Sequence, residues 1–371
     1  MQPTILNLAC RNFRSYRALG LEFSSRFVCF FGKNGAGKTN ILEAISLFSS
    51  DRGLRRAAIS DFSNRGTPVG SWNLKLSIEQ SDYKTFLSTN VSNGRRVATV
   101  DGSQMPSLSK LEDFLWPIWI TPSMVTIFLG AQADRRSFFD HLVSGLDKHY
   151  KERLRKISTL QKERLHVIFF RKDQNWLKVL ENKIAEESVE IVRSRTAFLT
   201  ALQSTFNEYH SEFLRPNVQI AGVIERIVEQ NSEENAVLEI MDALESSRFD
   251  DSEKQTTSIS VNKSQWLAYH PKTSFEAENC STGEQKAFLI SLILAVTRIY
   301  QKTKRGIPVL LLDDLMVHLD SARRQTLVNE LLDLNVQTFF TGTEKELFDA
   351  IKNEAQLYHV EQSICTEVSS H

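Results

Sequence analysis

The feature that most constrains the fold is a glycine-rich octet near the start of the chain, Gly32-Lys33-Asn34-Gly35-Ala36-Gly37-Lys38-Thr39. It follows the apolar residues 27–31 and precedes residues 40–48, which have a helical pattern. Strand, glycine loop and helix in this order indicate a P-loop rather than a chance glycine-rich turn. The glycines let successive backbone N–H groups face one anion, and the helix start adds its positive dipole end. We therefore predict that the octet binds ATP, with Lys38 at the β- and γ-phosphates and Thr39 at Mg²⁺.

A second motif lies near the end of the chain, where the apolar residues 307–312 lead directly into Asp313 and Asp314. Adjacent carboxylates at the end of a buried strand repel each other unless a cation or a shared proton relieves them. The pair therefore has the form of a Walker B motif. Asp313 is predicted to hold Mg²⁺ through water, and Asp314 to orient or deprotonate the attacking water.

A third motif, Ser281-Thr282-Gly283-Glu284-Gln285, stands between the other two. Ser281 and Glu284 have capping-box spacing, which by itself indicates only a well-made helix start. The order of P-loop, S-x-G-x-Q and paired acids is nevertheless that of an ABC-type ATPase. In that class Ser281 and Gly283 would contact the nucleotide held by a second subunit, so we expect an ATP-dependent homodimer. Thr341 or Thr343 is a further candidate as a sensor of the γ-phosphate.

The motifs predict an α/β fold, an ABC-type P-loop ATPase head with an antiparallel β lobe and an inserted helical, short coiled-coil domain. The predicted domains are 1–105 (N-terminal ATPase half with the β lobe), 106–260 (helical insertion) and 261–371 (C-terminal half). Expected strands are 5–8, 19–23, 72–79, 83–91 and 95–100, the first two packed around the P-loop strand. Residues 107–140, including 116–122, are expected to be helical, 146–213 to form two long helices, and 246–260 to be a mobile loop.

Charge sets limits on the partners. The 45 basic and 45 acidic residues balance, so a nucleic-acid contact requires a local patch. One candidate stripe consists of Lys151, Arg153, Arg155, Lys156, Lys162, Arg164, Arg171 and Lys172. A solvated helix face explains such a stripe equally well. Arginines of the segment 52–56 either help hold the nucleotide or belong to an ordinary helix end.

Cysteine usage and hydropathy bear on the compartment. Cys10, Cys29, Cys280 and Cys365 have no metal-binding spacing, which indicates inert thiols in a reducing compartment. The longest apolar-rich run, 287–296, is too short to span a bilayer. We expect a cytoplasmic protein with no membrane contact.

The chain resembles the RecF family of the SMC and Rad50 class over nearly its whole length. The stretches that carry the resemblance are 12–16, 32–43, 52–56, 119–122, 134–140, 280–286 and 311–320. The resemblance implies an ATP-dependent dimer that binds DNA at gaps and junctions and turns ATP over slowly. It also implies a role in replication, repair and the SOS response, with recombination mediator proteins and recombinase as partners.

Two segments differ from the family pattern. Val125-Thr126 replaces the usual acidic-basic pair, and Asn262-Lys263-Ser264-Gln265 replaces a His-Arg-x-Asp cluster. These differences bear on the coupling of nucleotide to DNA or protein partners. Three alternatives stay open: a nucleotide-binding module with little hydrolysis, a transport-type ATPase, and a Rad50-like tether. The short insertion without cysteine disfavours the tether.

Overall fold

The chain divides into two compact units in a computed structural model that describes residues 4–80, 83–171, 173–303 and 306–368. Unit 1 comprises the residues up to 125 together with those from 293, and unit 2 comprises 126–292. These bounds differ from the predicted domain boundaries, which lie between residues 105 and 106 and between residues 260 and 261. Those boundaries stay a prediction about which segments fold together.

Unit 1 contains a six-stranded sheet in the order β14-β13-β3-β12-β11-β8. Neighbouring strands are parallel except for β13 and β14. The strands are β3 (Phe27–Phe31), β8 (Leu115–Ile120), β11 (Ile307–Leu312), β12 (Gln337–Gly342), β13 (Ala355–Glu361) and β14 (Ile364–Val368). The P-loop strand β3 and the strand before the paired acids, β11, lie on either side of β12. This order brings their carboxyl ends to one edge of the sheet.

The prediction of helix for residues 116–122 was wrong. Residues 115–120 form β8, which pairs in parallel with β11 from Leu115↔Ile307 to Ile120↔Leu312. Five of its six residues are buried. A short apolar run that is covered on both faces has no alternation to distinguish strand from helix, which explains the error. The helix predicted for 134–140 is present in unit 2, within α2 (Gln132–Leu146).

A second six-stranded sheet in unit 1 is antiparallel and has the order β2-β1-β4-β5-β6-β7. Its strands are β1 (Thr4–Phe13), β2 (Tyr16–Glu22), β4 (Asn73–Gln80), β5 (Tyr83–Ser92), β6 (Arg95–Val100) and β7 (Ser103–Gln104). Asn93 and Gly94 have φ values of 50° and 72°, as a two-residue hairpin turn requires. All the strands predicted here exist, and β1 pairs with β2 on one side and with β4 on the other.

The two sheets of unit 1 share one hydrophobic core. Phe23 packs edge-on against Phe339, with ring centroids 5.0 Å apart. Gln337 accepts from the backbone N–H of Ile5 at 2.7 Å and donates to the Ile5 carbonyl at 3.0 Å. The Gln337 amide thus satisfies a backbone donor and acceptor where the first strand meets the parallel sheet.

Unit 1 also contains α1 (Lys38–Ser46), α9 (Ser321–Leu334) and the second half of α8 (Thr282–Thr303). Asp320 caps α9 by accepting from the backbone N–H of Arg323 at 2.8 Å. Burial raises the pKa of the Cys10 and Cys29 thiols, and it raises the pKa of Cys365 to about 12. A raised pKa disfavours the reactive thiolate form of these three cysteines.

Unit 2 is mainly helical. Its elements are α2 (Gln132–Leu146), α3 (Tyr150–His166), α4 (Gln174–Glu208), β9 (Asn217–Ala221), α5 (Val223–Gln230), α6 (Glu233–Ser246), α7 (Arg248–Lys254), β10 (Gln265–Tyr269) and the start of α8. The predicted pair of long helices is confirmed by α3 and α4, which pack against each other. Strands β9 and β10 form a small antiparallel sheet.

Two fully buried arginines organise unit 2. Arg164 of α3 pairs with Glu181 at 2.9 Å and with Asp251 at 2.6 Å. Arg195 of α4 pairs with Asp140 and Glu225, each at 3.0 Å. Buried charges of this kind are tolerated because each guanidinium has several acceptors.

The predicted loop 246–260 is also corrected. It contains α7, and the Asp251 side chain is fully buried on Arg164. Two acids in the first turn of α7 favour the helix through its dipole. The polar composition of 246–260 led to the prediction of a loop. The ion pair that stabilises this segment is made with a residue 87 positions away, so local sequence gives no sign of it.

The basic stripe is largely neutralised within unit 2. Arg153 pairs with Asp147 at 2.6 Å, and Lys156 pairs with Glu187 at 2.5 Å. Arg164 lies in the core and cannot face a ligand. Arg155 and Lys162 are exposed. Lys172 and the side chain of Arg171 lie outside the described residues. A solvated helix face therefore explains most of this stripe.

None of the helices in the described ranges combines the length and the apolar character that a membrane span needs.

Candidate nucleotide site

Three glycines set the path of the loop between β3 and α1. Gly32, Gly35 and Gly37 have φ values of 149°, 79° and 114°, a region that L side chains rarely adopt. At Gly32 an added Cβ would lie 2.1 Å from the Val360 carbonyl oxygen, and at Gly37 it would lie 2.8 Å from the Tyr16 hydroxyl. The backbone can therefore form this tight anion-binding turn only with glycine at these positions.

Lys38 begins α1, and its ammonium group is directed back over the loop. Its Nζ donates to the Gly32 carbonyl at 2.6 Å and to the Lys33 carbonyl at 3.0 Å. The residue is 4% exposed, and burial lowers its pKa. An ammonium held over the loop is in position to exchange these carbonyls for phosphate oxygens.

Thr39 lies beside the paired acids at the end of β11. Its Oγ1 donates to Asp313 Oδ1 at 2.8 Å. The Thr341 hydroxyl, at the end of β12, donates to the same Asp313 oxygen at 2.7 Å. Residues 274 positions apart thus meet at one sheet edge, as expected for the carboxyl ends of neighbouring parallel strands.

Burial raises the pKa of Asp313, and the neighbouring Asp314 raises it further. The hydroxyls of Thr39 and Thr341 and the charge of Arg55 act in the opposite direction. Because the carboxylate is 6% exposed and has no salt bridge within the described ranges, its negative charge is costly until a cation arrives.

Asp314 follows in the left-handed conformation, with φ 49°. Its backbone N–H donates to Thr341 Oγ1 at 2.8 Å, and its side chain is half-buried. Thr341 Oγ1 also lies 3.3 Å from Asp314 Oδ1, so both carboxylates are near this hydroxyl. Asp313 additionally accepts from the Thr39 hydroxyl, and its side chain is the more buried of the two. A role for Thr341 or Thr343 as a γ-phosphate sensor remains a prediction.

A charge cluster behind α1 was not predicted. Glu43 is fully buried and accepts from Arg14 at 2.7 and 2.8 Å and from Arg55 at 3.3 Å. The Tyr16 hydroxyl, two residues past Arg14, donates to the Gly37 carbonyl at 3.2 Å. An acid in an otherwise apolar helix face was the available signal for this cluster. The turn after β1 is thereby fixed against the P-loop.

The predicted signature residues Ser281 and Gly283 are in unit 2, at the start of α8. The capping box is confirmed. The Ser281 N–H donates to Glu284 Oε2 at 2.8 Å, and the Glu284 N–H donates to Ser281 Oγ at 3.3 Å. Ser281 is exposed, and its hydroxyl donates to Glu284 Oε2 at 2.8 Å.

The donor set at Asp313 suits Mg²⁺. Mg²⁺ prefers oxygen ligands and is usually bound by one or two side chains together with substrate phosphates and waters. Thr39 Oγ1 and Asp313 Oδ1 supply two such oxygens. In the described part of the chain, no group of three or more His, Cys, Asp or Glu side chains could hold a metal by itself. The residues therefore fit a metal that arrives with a phosphate ligand.

In the segment 262–265 that departs from the family pattern, Ser264 is buried, Asn262 is half-buried, and Lys263 and Gln265 are exposed. Ser264 Oγ donates to Glu225 Oε1 at 2.5 Å and accepts from Arg195 at 3.0 Å. Asn262 donates to Gln161 at 3.3 Å. Val125, of the other departure, is buried in unit 1. The side chains of Asn262 and Ser264 are therefore engaged in hydrogen bonds within unit 2.

Comparison with known proteins decides the family. A family model described as RecF/RecN/SMC N terminal domain matches residues 4–366. The DNA replication and repair protein RecF of Rickettsia massiliae is 35% identical over 354 residues, which covers 95% of this chain and 97% of the relative. The chain belongs to the RecF family. The RecF protein of Rickettsia felis is similar too, with 34% identity over 363 residues, 95% of this chain and 96% of the relative.

Solved structures confirm the fold class. A RecF structure with ATPrS, described as the recombination mediator protein of the RecFOR pathway, superposes with a TM-score of 0.87 at 21% identity. It covers 99% of each chain. An Smc head domain from Pyrococcus furiosus gives a TM-score of 0.56 at 15% identity, with 99% of this chain and 96% of that chain covered. This RecF-family chain therefore has the α/β head of the SMC class with a helical insertion.

Proposed function

We propose that the chain is an ATP-dependent DNA-binding protein of recombinational repair and replication restart, acting in the cytoplasm. Two ATP molecules would join two copies into a homodimer that marks gapped DNA or junctions and aids recombinase loading. Hydrolysis would be slow and stimulated by DNA. The RecF relatives are described as DNA replication and repair proteins, and two similar structures are described as RecF with ATP or ATPrS.

The observation that carries the proposal is the hydrogen bond from Thr39 to Asp313, which joins the P-loop to the Walker B strand. Bound ATP with Mg²⁺ would supply the phosphoanhydride and the cation that neutralises it. The backbone of 32–37 would surround the phosphates, and Lys38 would turn from the loop carbonyls to the β- and γ-oxygens. Thr39 and Asp313 would orient the metal, directly or through water.

Asp314 is the proposed positioning residue for the attacking water. Its side chain is half-buried and follows the buried Asp313. Because Asp313 would be engaged by Mg²⁺, Asp314 would be left to accept a proton from water. Ser281 and Gly283 are proposed to contact the γ-phosphate held by the second copy, where the exposed hydroxyl and the start of α8 favour an anion.

Two substitutions test this scheme. Lys38→Met should abolish ATP binding and ATP-dependent dimers together. Asp314→Asn should keep ATP binding and dimers while slowing hydrolysis about 100-fold or more, as loss of a general base does. Phosphate release and size-exclusion chromatography measure the two properties. An Asp314→Asn protein that loses dimers but keeps wild-type turnover would contradict the assigned roles.

A second candidate is a nucleotide-binding module with little hydrolysis. It is favoured by one observation, the use of Asn262 in an internal hydrogen bond where the family pattern has a histidine. Turnover measured with and without gapped duplex separates the two functions. DNA stimulation supports the proposed switch, and a rate below detection in both conditions supports the module.

A further inference from the structure

The outward face of the antiparallel sheet in unit 1 contains a cleft of 610 Å³ between β1, β4 and the loop before β4. Its lining residues are Ala9, Cys10, Arg11, Asn12, Ser71, Asn73 and Lys75. The Cys10 side chain is buried in the core, and all of the other lining residues except Ala9 have polar side chains. In the described ranges no carboxylate lines the cleft.

Strand register explains why the cleft is on this face. Leu8, Cys10, Leu74 and Leu76 are buried in the core, so the alternating residues of β1 and β4 point outward. Ala9 lies between Gly20 on one side and Lys75 on the other. Ala9 and Gly20 have little or no side chain and so leave space for the cleft, while longer side chains project around it.

Two cations stand together at this edge. Arg11 pairs in register with Asn73, so Lys75 is its diagonal neighbour on the next strand. Their Cα atoms are therefore about 7–8 Å apart. Both side chains are exposed, and neither has an acidic partner in the part of the chain that the structure describes. Neighbouring like charges without counterions make a local positive potential.

This arrangement is the opposite of that on α3. There Arg153 and Lys156 are held by acids of the same unit, and Arg164 is in the core. At the cleft, Arg11 and Lys75 have no acidic partner among the described residues. The lining also contains Ser71, whose buried hydroxyl has no hydrogen-bond partner in the same ranges. Polar atoms without partners beside free cations favour an incoming acceptor.

We propose that this cleft binds the phosphodiester backbone of DNA, with Arg11 and Lys75 as the cationic contacts. The inference rests on the proposed DNA-binding function and gives it a surface. A small-molecule site would enclose most of its ligand, whereas this cleft is open and its cations lie at the surface. Arginine, lysine, serine and asparagine side chains are typical donors to backbone phosphates. Recognition would be independent of base sequence.

The test compares two double variants of matched charge change in the full chain. Arg11→Gln with Lys75→Gln alters the cleft, and Arg155→Gln with Lys162→Gln alters exposed positions of α3. Affinity for a fluorescent gapped duplex is measured from low to moderate salt, with ATP and Mg²⁺ present. ATP binding and thermal melting verify that both variants are folded.

Removing one cation that neutralises a phosphate should reduce the steepness of log affinity against log salt by about one. We expect a reduction of about two in the cleft variant and an unchanged slope in the α3 variant. An unchanged slope in the cleft variant, with wild-type DNA binding intact, would overturn the cleft alone. Wild-type protein that binds no DNA under any condition would overturn both the cleft and the proposed function.

Discussion

Asp313 is a carboxylate whose surroundings suit a bound cation better than an empty site. Burial raises its pKa, although two hydroxyls donate to the same oxygen. Ionisation therefore costs free energy in the protein alone. Because the pKa of Asp313 is raised in the folded protein, its contribution to the free energy of unfolding depends on pH. Stability is fully present below the unfolded-state pKa and is lost as pH rises through the folded-state pKa.

Asp313→Asn should stabilise the protein without nucleotide while abolishing Mg²⁺-dependent ATP binding. The asparagine oxygen still accepts from Thr39 and Thr341, and the uncompensated charge is gone. We expect a gain on the order of 1 kcal/mol at neutral pH, seen as a higher melting temperature. The gain should shrink as pH falls, because wild-type Asp313 then becomes neutral too.

Asp320→Asn is the matched control, since it makes the same change at the exposed N-cap of α9. Aspartate and asparagine are both good N-cap residues, so the helix start is kept. It should leave stability and ATP binding nearly unchanged. Equal melting temperatures for wild type and Asp313→Asn from pH 5 to 8 would contradict the electrostatic account of Asp313.

Gly32 and Gly35 allow the steric clash of an added Cβ to be compared with the backbone strain of a positive φ. Both have positive φ, but an added Cβ meets the Val360 carbonyl at 2.1 Å only at Gly32, while at Gly35 nothing lies within 4 Å. Gly35→Ala should cost about 1–2 kcal/mol from the backbone alone. Gly32→Ala should cost more and abolish ATP binding, because backbone must move. Melting curves and a fluorescent ATP analogue measure both effects, and equal effects of the two substitutions would refute the steric argument.

At the scale of elements, the P-loop could be predicted because its signal is local. Glycine spacing, the preceding apolar run and the following helix all lie within 22 residues of sequence, and β3 and α1 appear where expected. The hairpin at Asn93-Gly94 is local in the same sense. Strand β8 was missed because both its faces are covered and no periodicity survives.

Helix α3 shows why charge patterns are harder to interpret than glycine patterns. Local sequence does not distinguish Arg155 from Arg164. Arg155 is exposed, whereas Arg164 is fully buried between acids of α4 and α7. Long-range pairing decides which cation is structural. The connection of Thr341 to Asp313 was hidden for the same reason, since it depends on the order of β12 and β11.

Arg164→Ala should therefore destabilise unit 2 strongly. It would leave Glu181 and Asp251 buried with less compensation, although Arg248 still contacts Glu181. Breaking a buried pair in this way costs about 3–5 kcal/mol. The control Arg155→Ala removes an exposed guanidinium and should change stability by less than about 0.5 kcal/mol. Urea unfolding followed by tryptophan fluorescence measures both, and similar midpoints would contradict the structural role of Arg164.

For the whole molecule, motif order predicted the fold class and the family, while contacts within each unit decided the remainder. Residues 32–43 and 311–320 meet in unit 1 because parallel strands bring their carboxyl ends together, whereas the turn at 12–16 is held there by the Arg14–Glu43 ion pair. The motif of Ser281 is on the other unit. The proposed dimer would use it on a second copy, so completing the site is a property of the assembly.

Sedimentation velocity of the purified protein tests the proposed ATP-dependent homodimer most directly, with and without ATP and Mg²⁺, alone and with a labelled gapped duplex. The account predicts a monomer without nucleotide, and a dimer that carries DNA when ATP and Mg²⁺ are present. Lys38→Met should stay monomeric and free of DNA in both conditions. A wild-type chain that binds ATP yet sediments as a monomer throughout would contradict the nucleotide-switched dimer.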